Sequence, residues 1–239
     1  MPEAPVAIIT GAGSGIGRAT AVLLTSHGHR LTLVGRTESK LRNVAAELEP
    51  DPAGSNGALV IAEDLQDAHA AQRIFQRCLS TFGRVDAIIN NAGIAPLEPI
   101  ERTTAALLEQ TFAVNTHAAA LLIGAAWQHF AQRGSGCIVN VSSMASVDPF
   151  DGYLVYAATK AAMDSLTRSA HNEGRSFGIR AFTVNPGAVE TPLLRSLFSE
   201  QDISRDRTLD PGAVAQVIVD CVLGRRNTDA GSQILLPSP

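Results

Sequence analysis

Cysteine is scarce in this chain. Its 239 residues include three, Cys78, Cys137 and Cys221, far apart and without a C-x-x-C spacing. Neither a disulfide framework nor a thiolate metal site is indicated, and reduced core thiols in a cytoplasmic protein are expected. Excess positive charge is also missing. The formal net charge is −4 and the pI about 5.8, which argues against a nucleic-acid face. No apolar run approaches a membrane span. The longest, around Ala118–Trp127, falls inside a helical pattern. Met1–Pro5 is too short for a basic leader region, so no targeting signal is read. Repeats, low-complexity tracts and dividing linkers are absent too. His117, His129 and His171 fall on helices with no pairing that suggests a metal, and read as surface or interface residues. His27 and His29 flank Gly28 at a helix end, where a capping role suffices.

What is present is a globular composition, 45% hydrophobic and 18% charged, patterned as alternating strands and helices. Short continuous apolar runs read as strands at Val6–Thr10, Arg30–Gly35, Ala58–Ala62, Asp86–Ile89, Gly136–Ser142, Ile179–Asn185 and Ser232–Leu236. Continuous rather than alternating runs belong to a parallel sheet covered on both faces. Helical patterns fill the gaps: Ile16–His27, Glu38–Leu48, Ala68–Phe82, about Thr104–Arg133, about Tyr153–Phe177 and Leu209–Leu223. Pro50, Pro52, Gly54 and Gly57 mark a loop over Glu49–Gly57. The order predicts an α/β, Rossmann-like doubly wound parallel sheet of about seven strands, in one domain over residues 1–239.

Tyr156-Ala-Ala-Thr-Lys160 puts a phenol and an ammonium one helical turn apart on one face. A free tyrosine has a pKa of about 10, and a neighbouring cation favours the phenolate and lowers that value. Thr10-Gly-Ala-Gly-Ser-Gly-Ile-Gly17 lies between the first strand and the first helix. It misses G-x-G-x-x-G, because Ile16 or Arg18 stands where the third glycine belongs, and fits G-x-x-x-G-x-G at Gly11, Gly15 and Gly17. Missing side chains let backbone approach a pyrophosphate at a helix N-terminus. About 20 positions beyond the loop, an acidic residue would bond the ribose hydroxyl of NAD. Gly35 stands there, followed by Arg36, with Thr37 and Ser39 nearby. A guanidinium there can clamp a 2′-phosphate, which favours NADP(H) over NAD(H). The alternatives are that Arg36 stacks on adenine or pairs with Glu38. Asp64, followed by Leu65 after the third strand, is placed for an adenine amino group or as a helix cap.

With these motifs the chain resembles the short-chain dehydrogenase/reductase family in its common one-domain form. Thr10–Gly17, including Gly13, Ser14 and Ile16, matches the family's TGxxxGxG. Asn90-Asn91-Ala92-Gly93 matches NNAG, although Asn90 and Asn91 are also turn formers. Asn115 matches the asparagine of the long helix, and Ser143, 13 residues before Tyr156, the catalytic serine. Ser142 competes by adjacency, and only one of the two can point at the site. Tyr156 and Lys160 match YxxxK, and Asn185-Pro186-Gly187-Ala188-Val189-Glu190-Thr191 matches NPGxVxT.

The resemblance implies an oxidoreductase that interconverts a carbonyl and a secondary alcohol. Tyr156 would be general acid or base, and Ser143 would bond the substrate oxygen. Lys160 would hold the nicotinamide ribose and lower the Tyr156 pKa, with Asn115 holding a relay water. Val189 and Thr191 would hold the carboxamide. A non-catalytic nucleotide sensor or scaffold is the competing reading, and an acyl carrier protein thioester is a substrate variant. The segment at about 190–209, with Leu193, Leu194, Leu197 and Phe198, reads as a mobile lid or as an ordinary amphipathic surface helix. Ala95, Pro96, Met144, Val147, Phe150 and Leu154 are expected pocket walls for a small neutral carbonyl or alcohol. The resemblance also implies a homodimer or homotetramer that pairs the two long helices, with the Ala118–Ala126 face at the contact. The ending Leu235-Leu-Pro-Ser-Pro239 departs from the glycine pair that often closes the family's last strand.

Overall fold

The structure is a computed structural model describing residues 4–49 and 58–239. The loop read at 50–57 and the first three residues lie outside that range. Seven strands form one parallel sheet: β1 Val6–Thr10, β2 Arg30–Gly35, β3 Ala58–Ala62, β4 Ala87–Asn90, β5 Gly136–Val141, β6 Ile179–Pro186 and β7 Gln233–Leu236. Their order is β3-β2-β1-β4-β5-β6-β7. β1 therefore pairs with β2 on one side and β4 on the other, in register Ile8↔Thr32 and Ile8↔Ile88. The chain reverses its winding there, and the carboxyl ends of β1 and β4 open a crevice between diverging loops.

The strands are buried on both faces, which is why they lack alternation. Ile9, Leu33, Ile89 and Val139 belong to one core, and their neighbours Ile8, Val34, Ile88 and Ile138 to the other. The first core is closed by α1 Gly15–Ser26, α2 Glu38–Glu47 and a late helix, Pro211–Val222. That late helix begins where Asp210 accepts from Gly212 N at 2.7 Å, with Pro211 in its first turn. The second core is closed by α3 Ala70–Phe82, the long helical segment after β4, and the helix after β5.

The long helix read at Thr104–Arg133 is not uniform. It runs as α4 Ala105–Phe112, a π-helical turn Ala113–His117, and α5 Ala118–Arg133. The wider turn accommodates one extra residue and rotates the helix face, which leaves Asn115 buried at 1% exposure. Ala118 and Ala126 are buried in the core shared with α3, and Ala119 is buried as well. These three are spent inside the chain, and α5 presents Leu121, Gly124 and Gln128 outward instead. His129 is likewise not a plain surface residue, since its Nε2 accepts from Val85 N at 3.1 Å. His29 is buried with Nδ1 unpaired, and burial lowers its pKa.

The helix after β5, α6 Leu154–Gly174, is tied to the sheet by polar groups. Asn90 Nδ2 donates to Asn140 Oδ1 at 2.8 Å, and Asn140 Nδ2 donates to Thr167 Oγ1 at 2.9 Å. Asn90 is thus a buried strut between β4 and β5, not a turn former. Asn140→Ala is expected to cost about 2–3 kcal/mol, because it strands two buried partners. A urea-unfolding midpoint equal to the parent's would contradict that role.

Candidate active site

One cavity of about 870 Å³ lies at the carboxyl ends of the strands and takes in both the glycine loop and the Tyr156 region. At its nucleotide end, Ser14 precedes α1 without capping it by its side chain. The first-turn N–H groups therefore lack that acceptor, and Gly13, Ser14, Gly15 and Ile16 line the cavity. Gly15 has φ +53, and a Cβ there would press on Thr191 Cγ2 at 2.9 Å. A Cβ on Gly11 would meet Asn91 Nδ2 at 2.8 Å. Gly17 does not line the cavity; it lets α1 sit directly on the Gly11 carbonyl. A bare backbone cradle ending at a helix N-terminus fits a pyrophosphate.

Thr10 bolts the NNAG turn to that loop. Its Oγ1 accepts from Asn91 N at 3.0 Å and Ala92 N at 3.1 Å. Asn91 Nδ2 donates to Thr10 O at 2.9 Å and Gly11 O at 3.2 Å. Asn91, Ala92 and Gly93 all line the cavity, but the Asn91 side chain serves as a brace. Arg36 and Lys40 line the same end of the cavity, and a Cβ on Gly13 would stand 3.2 Å from Lys40 Cβ. Glu38 is engaged by Arg42 Nε at 2.9 Å, and among the described residues Arg36 has no carboxylate partner. Lys40, one turn after Arg36, went unrecognised in the sequence although its i+4 spacing was legible. Asp64 and Leu65 line the same end. Asp64 Oδ1 accepts from Gln66 N at 3.0 Å, which makes a local turn; α3 starts later, at Ala70.

At the chemical end, the paired serines separate as the strand geometry requires. Ser142 is buried and donates to Lys160 O at 2.9 Å. Ser143 lines the cavity, and its Oγ accepts from Ala145 N at 3.1 Å. Asn115 is committed to protein partners: Oδ1 accepts from Ile94 N at 2.8 Å, and Nδ2 donates to Ile94 O and Thr159 Oγ1. It borders a small separate void and does not line the main cavity.

Tyr156 and Lys160 both line the cavity. Lys160 Nζ lies 5.6 Å from the Tyr156 ring centroid and donates to Val141 O at 2.8 Å. Burial pushes the Tyr156 phenol up to about 12, with hydrogen bonding to Ser143 opposing it. The downward shift anticipated from the Tyr–Lys spacing is opposed by desolvation, which favours the neutral phenol. Burial also brings Lys160 down to about 8, with the Asp164 charge opposing. Asp164 is itself buried, and its Oδ2 accepts from Gln233 Nε2 at 2.5 Å. Asn185 Nδ2 donates to Asp164 Oδ1 at 3.1 Å and Ser146 Oγ at 3.0 Å, anchoring the start of the NPGxVxT loop.

Among the expected walls, Ala95, Met144, Phe150 and Leu193 line the cavity, as do Leu194, Leu197 and Phe198. Pro96, Val147 and Leu154 do not. Leu154 is two residues from Tyr156, hence on the far side of α6, and Val147 points to solvent after the short helical turn Met144–Ser146. The segment at about 190–209 is not one amphipathic helix. It is a short helix, Pro192–Arg195, followed by a loop stitched by Arg195, which bonds Glu190 Oε1 at 2.8 Å and Ile203 O at 2.7 Å.

The profile of the short chain dehydrogenase family matches residues 5–202. This chain belongs to that family. It is similar to an uncharacterized oxidoreductase of Thermotoga maritima, 34% identical over 189 residues, 79% of this chain and 73% of the relative. It is also similar to a levodione reductase of Leifsonia aquatica, 33% identical over 204 residues, 84% of this chain and 76% of the relative. A crystal structure of 3-ketoacyl-(acyl-carrier-protein) reductase from Brucella melitensis, complexed with NADH, superimposes with a TM-score of 0.89 at 29% identity. That match covers 98% of this chain and 97% of the other. The short chain dehydrogenase described here is therefore an NAD(P)-dependent dehydrogenase/reductase. Among the described residues no helix is long and apolar enough to cross a membrane, and no group of three or more side chains is arranged for a metal.

The depressed Lys160 pKa carries a sign. The unfolded chain binds this proton up to about 10.5, the folded chain only up to about 8. Between those values the unfolded state holds more protons, so the Lys160 contribution raises stability as pH rises and loses it as pH falls through about 8. Lys160→Met should remove that pH dependence and unfold at higher urea at neutral pH. A variant less stable than its parent at neutral pH, with the slope retained, would refute the burial cost.

Proposed function

We propose that this enzyme uses NADP(H) to interconvert a neutral, largely apolar ketone and its secondary alcohol. The carrying observation is that Ser143, Tyr156 and Lys160 meet in the same cavity as the bare α1 N-terminus. A dinucleotide spanning the two ends would rest its pyrophosphate on Gly13–Ile16 and its carboxamide near Val189. When bound, the nicotinamide supplies the hydride. Tyr156 donates its phenolic proton to the carbonyl oxygen, and Ser143 donates a hydrogen bond to the same atom as negative charge develops there. Lys160 provides the positive charge beside the phenolate left behind. In oxidation the proton returns to Tyr156 Oη. Asn115 stabilises the frame around Lys160 through its bonds to Ile94 and Thr159. The segment at about 190–209 covers the substrate with Leu193, Leu197 and Phe198.

NADP(H) is favoured because Arg36 and Lys40 share one rim of the cavity and Gly35 supplies no carboxylate. The NADH complex of the Brucella reductase supports NAD(H) as the second reading. Arg36→Asp is expected to raise KM for NADP(H) about 10- to 100-fold while leaving NAD(H) unaffected or improved, as for loss of a charge-assisted pair. Better turnover with NAD(H) in the parent protein would decide for the alternative.

The high Tyr156 pKa sets the pH profile. The acid form needed for reduction is present throughout the neutral range, so reduction should be flat from about pH 6 up to the Lys160 value of about 8 and fall above it as that ammonium loses its proton. Oxidation requires a proton acceptor and should climb with pH over the same interval. Tyr156→Phe should lower kcat in both directions by roughly 10²–10⁴-fold. Retention of parental turnover by Tyr156→Phe, in a screen of ketones and secondary alcohols, would sink the acid–base assignment.

A further inference from the structure

The chain's departure from the family's terminal glycine pair places a hydroxyl against the NPGxVxT loop. Beyond β7, Pro237, Ser238 and Pro239 line the cavity beside Pro186, Gly187, Ala188 and Val189. Ser238 Oγ accepts from Ala188 N at 2.7 Å. One step earlier, Gly187 N donates to Leu236 O at 2.8 Å. On the other side, Leu209 N donates to Ala188 O at 2.8 Å, and Leu209 O accepts from Glu190 N at 3.0 Å. Gly187, Ala188 and Glu190 thus spend their N–H groups on protein acceptors. Among the described residues, Val189 N–H has none, and Val189 lines the cavity.

We infer that Ser238 is a positioning residue for the nicotinamide end of the cofactor, holding the Ala188–Val189 peptide so that Val189 N–H stays available to a carboxamide oxygen. The inference rests on the reading of residues 185–191 as the nicotinamide loop. Three features support it. The bond is short and made to a backbone donor, so a methyl in place of the hydroxyl would leave Ala188 N unpaired. Pro237 and Pro239 restrict the backbone on either side of Ser238, which pre-sets the hydroxyl at low entropic cost. Gly187 has no side chain where the tail packs: a Cβ there would lie 2.8 Å from Ser238 N. Released from Ser238, Ala188 N would compete with Val189 N for the same ligand oxygen or turn to water.

A structural brace and a positioning residue differ in which half of the cofactor they affect. The test compares full-length parent, Ser238→Ala and Ser238→Thr for binding of NADPH and of adenosine 2′,5′-bisphosphate, which lacks the nicotinamide. NADH and ADP-ribose form the equivalent pair for the second cofactor. The expected result is a Kd for NADPH about 3- to 10-fold higher in Ser238→Ala, as for one lost neutral hydrogen bond. The bisphosphate Kd should be unchanged, and Ser238→Thr should restore the parental value. Equal weakening of both ligands, or of neither, would overturn the positioning role, whatever happens to the melting temperature. Parent protein that binds neither NADPH nor NADH would overturn the site assignment itself, a result distinct from failure of the Ser238 clamp.

Discussion

Lys160 puts an ammonium group inside the protein, 4% exposed, with its Nζ donating to the Val141 carbonyl. A buried cation is costly unless geometry holds it, and much of the surrounding structure answers to that demand. The carbonyl comes from the last residue of β5, in the middle of the sheet. The backbone of Lys160 is fixed in turn by Ser142, and Asp164 one turn along supplies the nearby negative charge. The same burial keeps the Tyr156 phenol protonated. In the proposed mechanism the acid form is therefore the one present at neutral pH, and the base form must be generated.

The two ends of the cavity share one scaffold. Thr10, at the end of β1, holds the NNAG turn, which holds the glycine loop. Asn90, at the end of β4, holds β5, which carries Val141 and Ser143 beyond it. A parallel sheet whose winding reverses between β1 and β4 brings these loops together without any long connection. The nucleotide cradle and the proton-transfer pair are thus in register because adjacent strands are in register.

Much of this was readable in the chain. Continuous apolar runs located the strands because each is buried on both faces, and the spaced motifs located the residues lining the cavity. What escaped the sequence depended on three-dimensional competition. A helical pattern does not reveal a π-turn at Ala113–His117, since the inserted residue alters hydrogen bonding and not hydrophobic spacing. An i,i+4 pair does not reveal how deeply its phenol is buried, and here desolvation decides the phenol's pKa. The alanines of α5 read as a contact face, yet three of them are buried within the chain, two of these in the core shared with α3. Asn91 and Gly17 carry motif positions but serve the loop's packing. Ser238 lies outside the motifs that carry the resemblance, so only its contact with Ala188 exposes it.

The chain has two tyrosines, Tyr153 and Tyr156, so replacing Tyr153 with phenylalanine leaves one phenol to follow. Ultraviolet titration of phenolate in ligand-free Tyr153→Phe protein then reads Tyr156 alone. Dominance of burial in setting the phenol's pKa predicts no appreciable phenolate until well above the ordinary tyrosine value of about 10. Half-ionisation near neutral pH would contradict it, and would return control of the site's acidity to the cation.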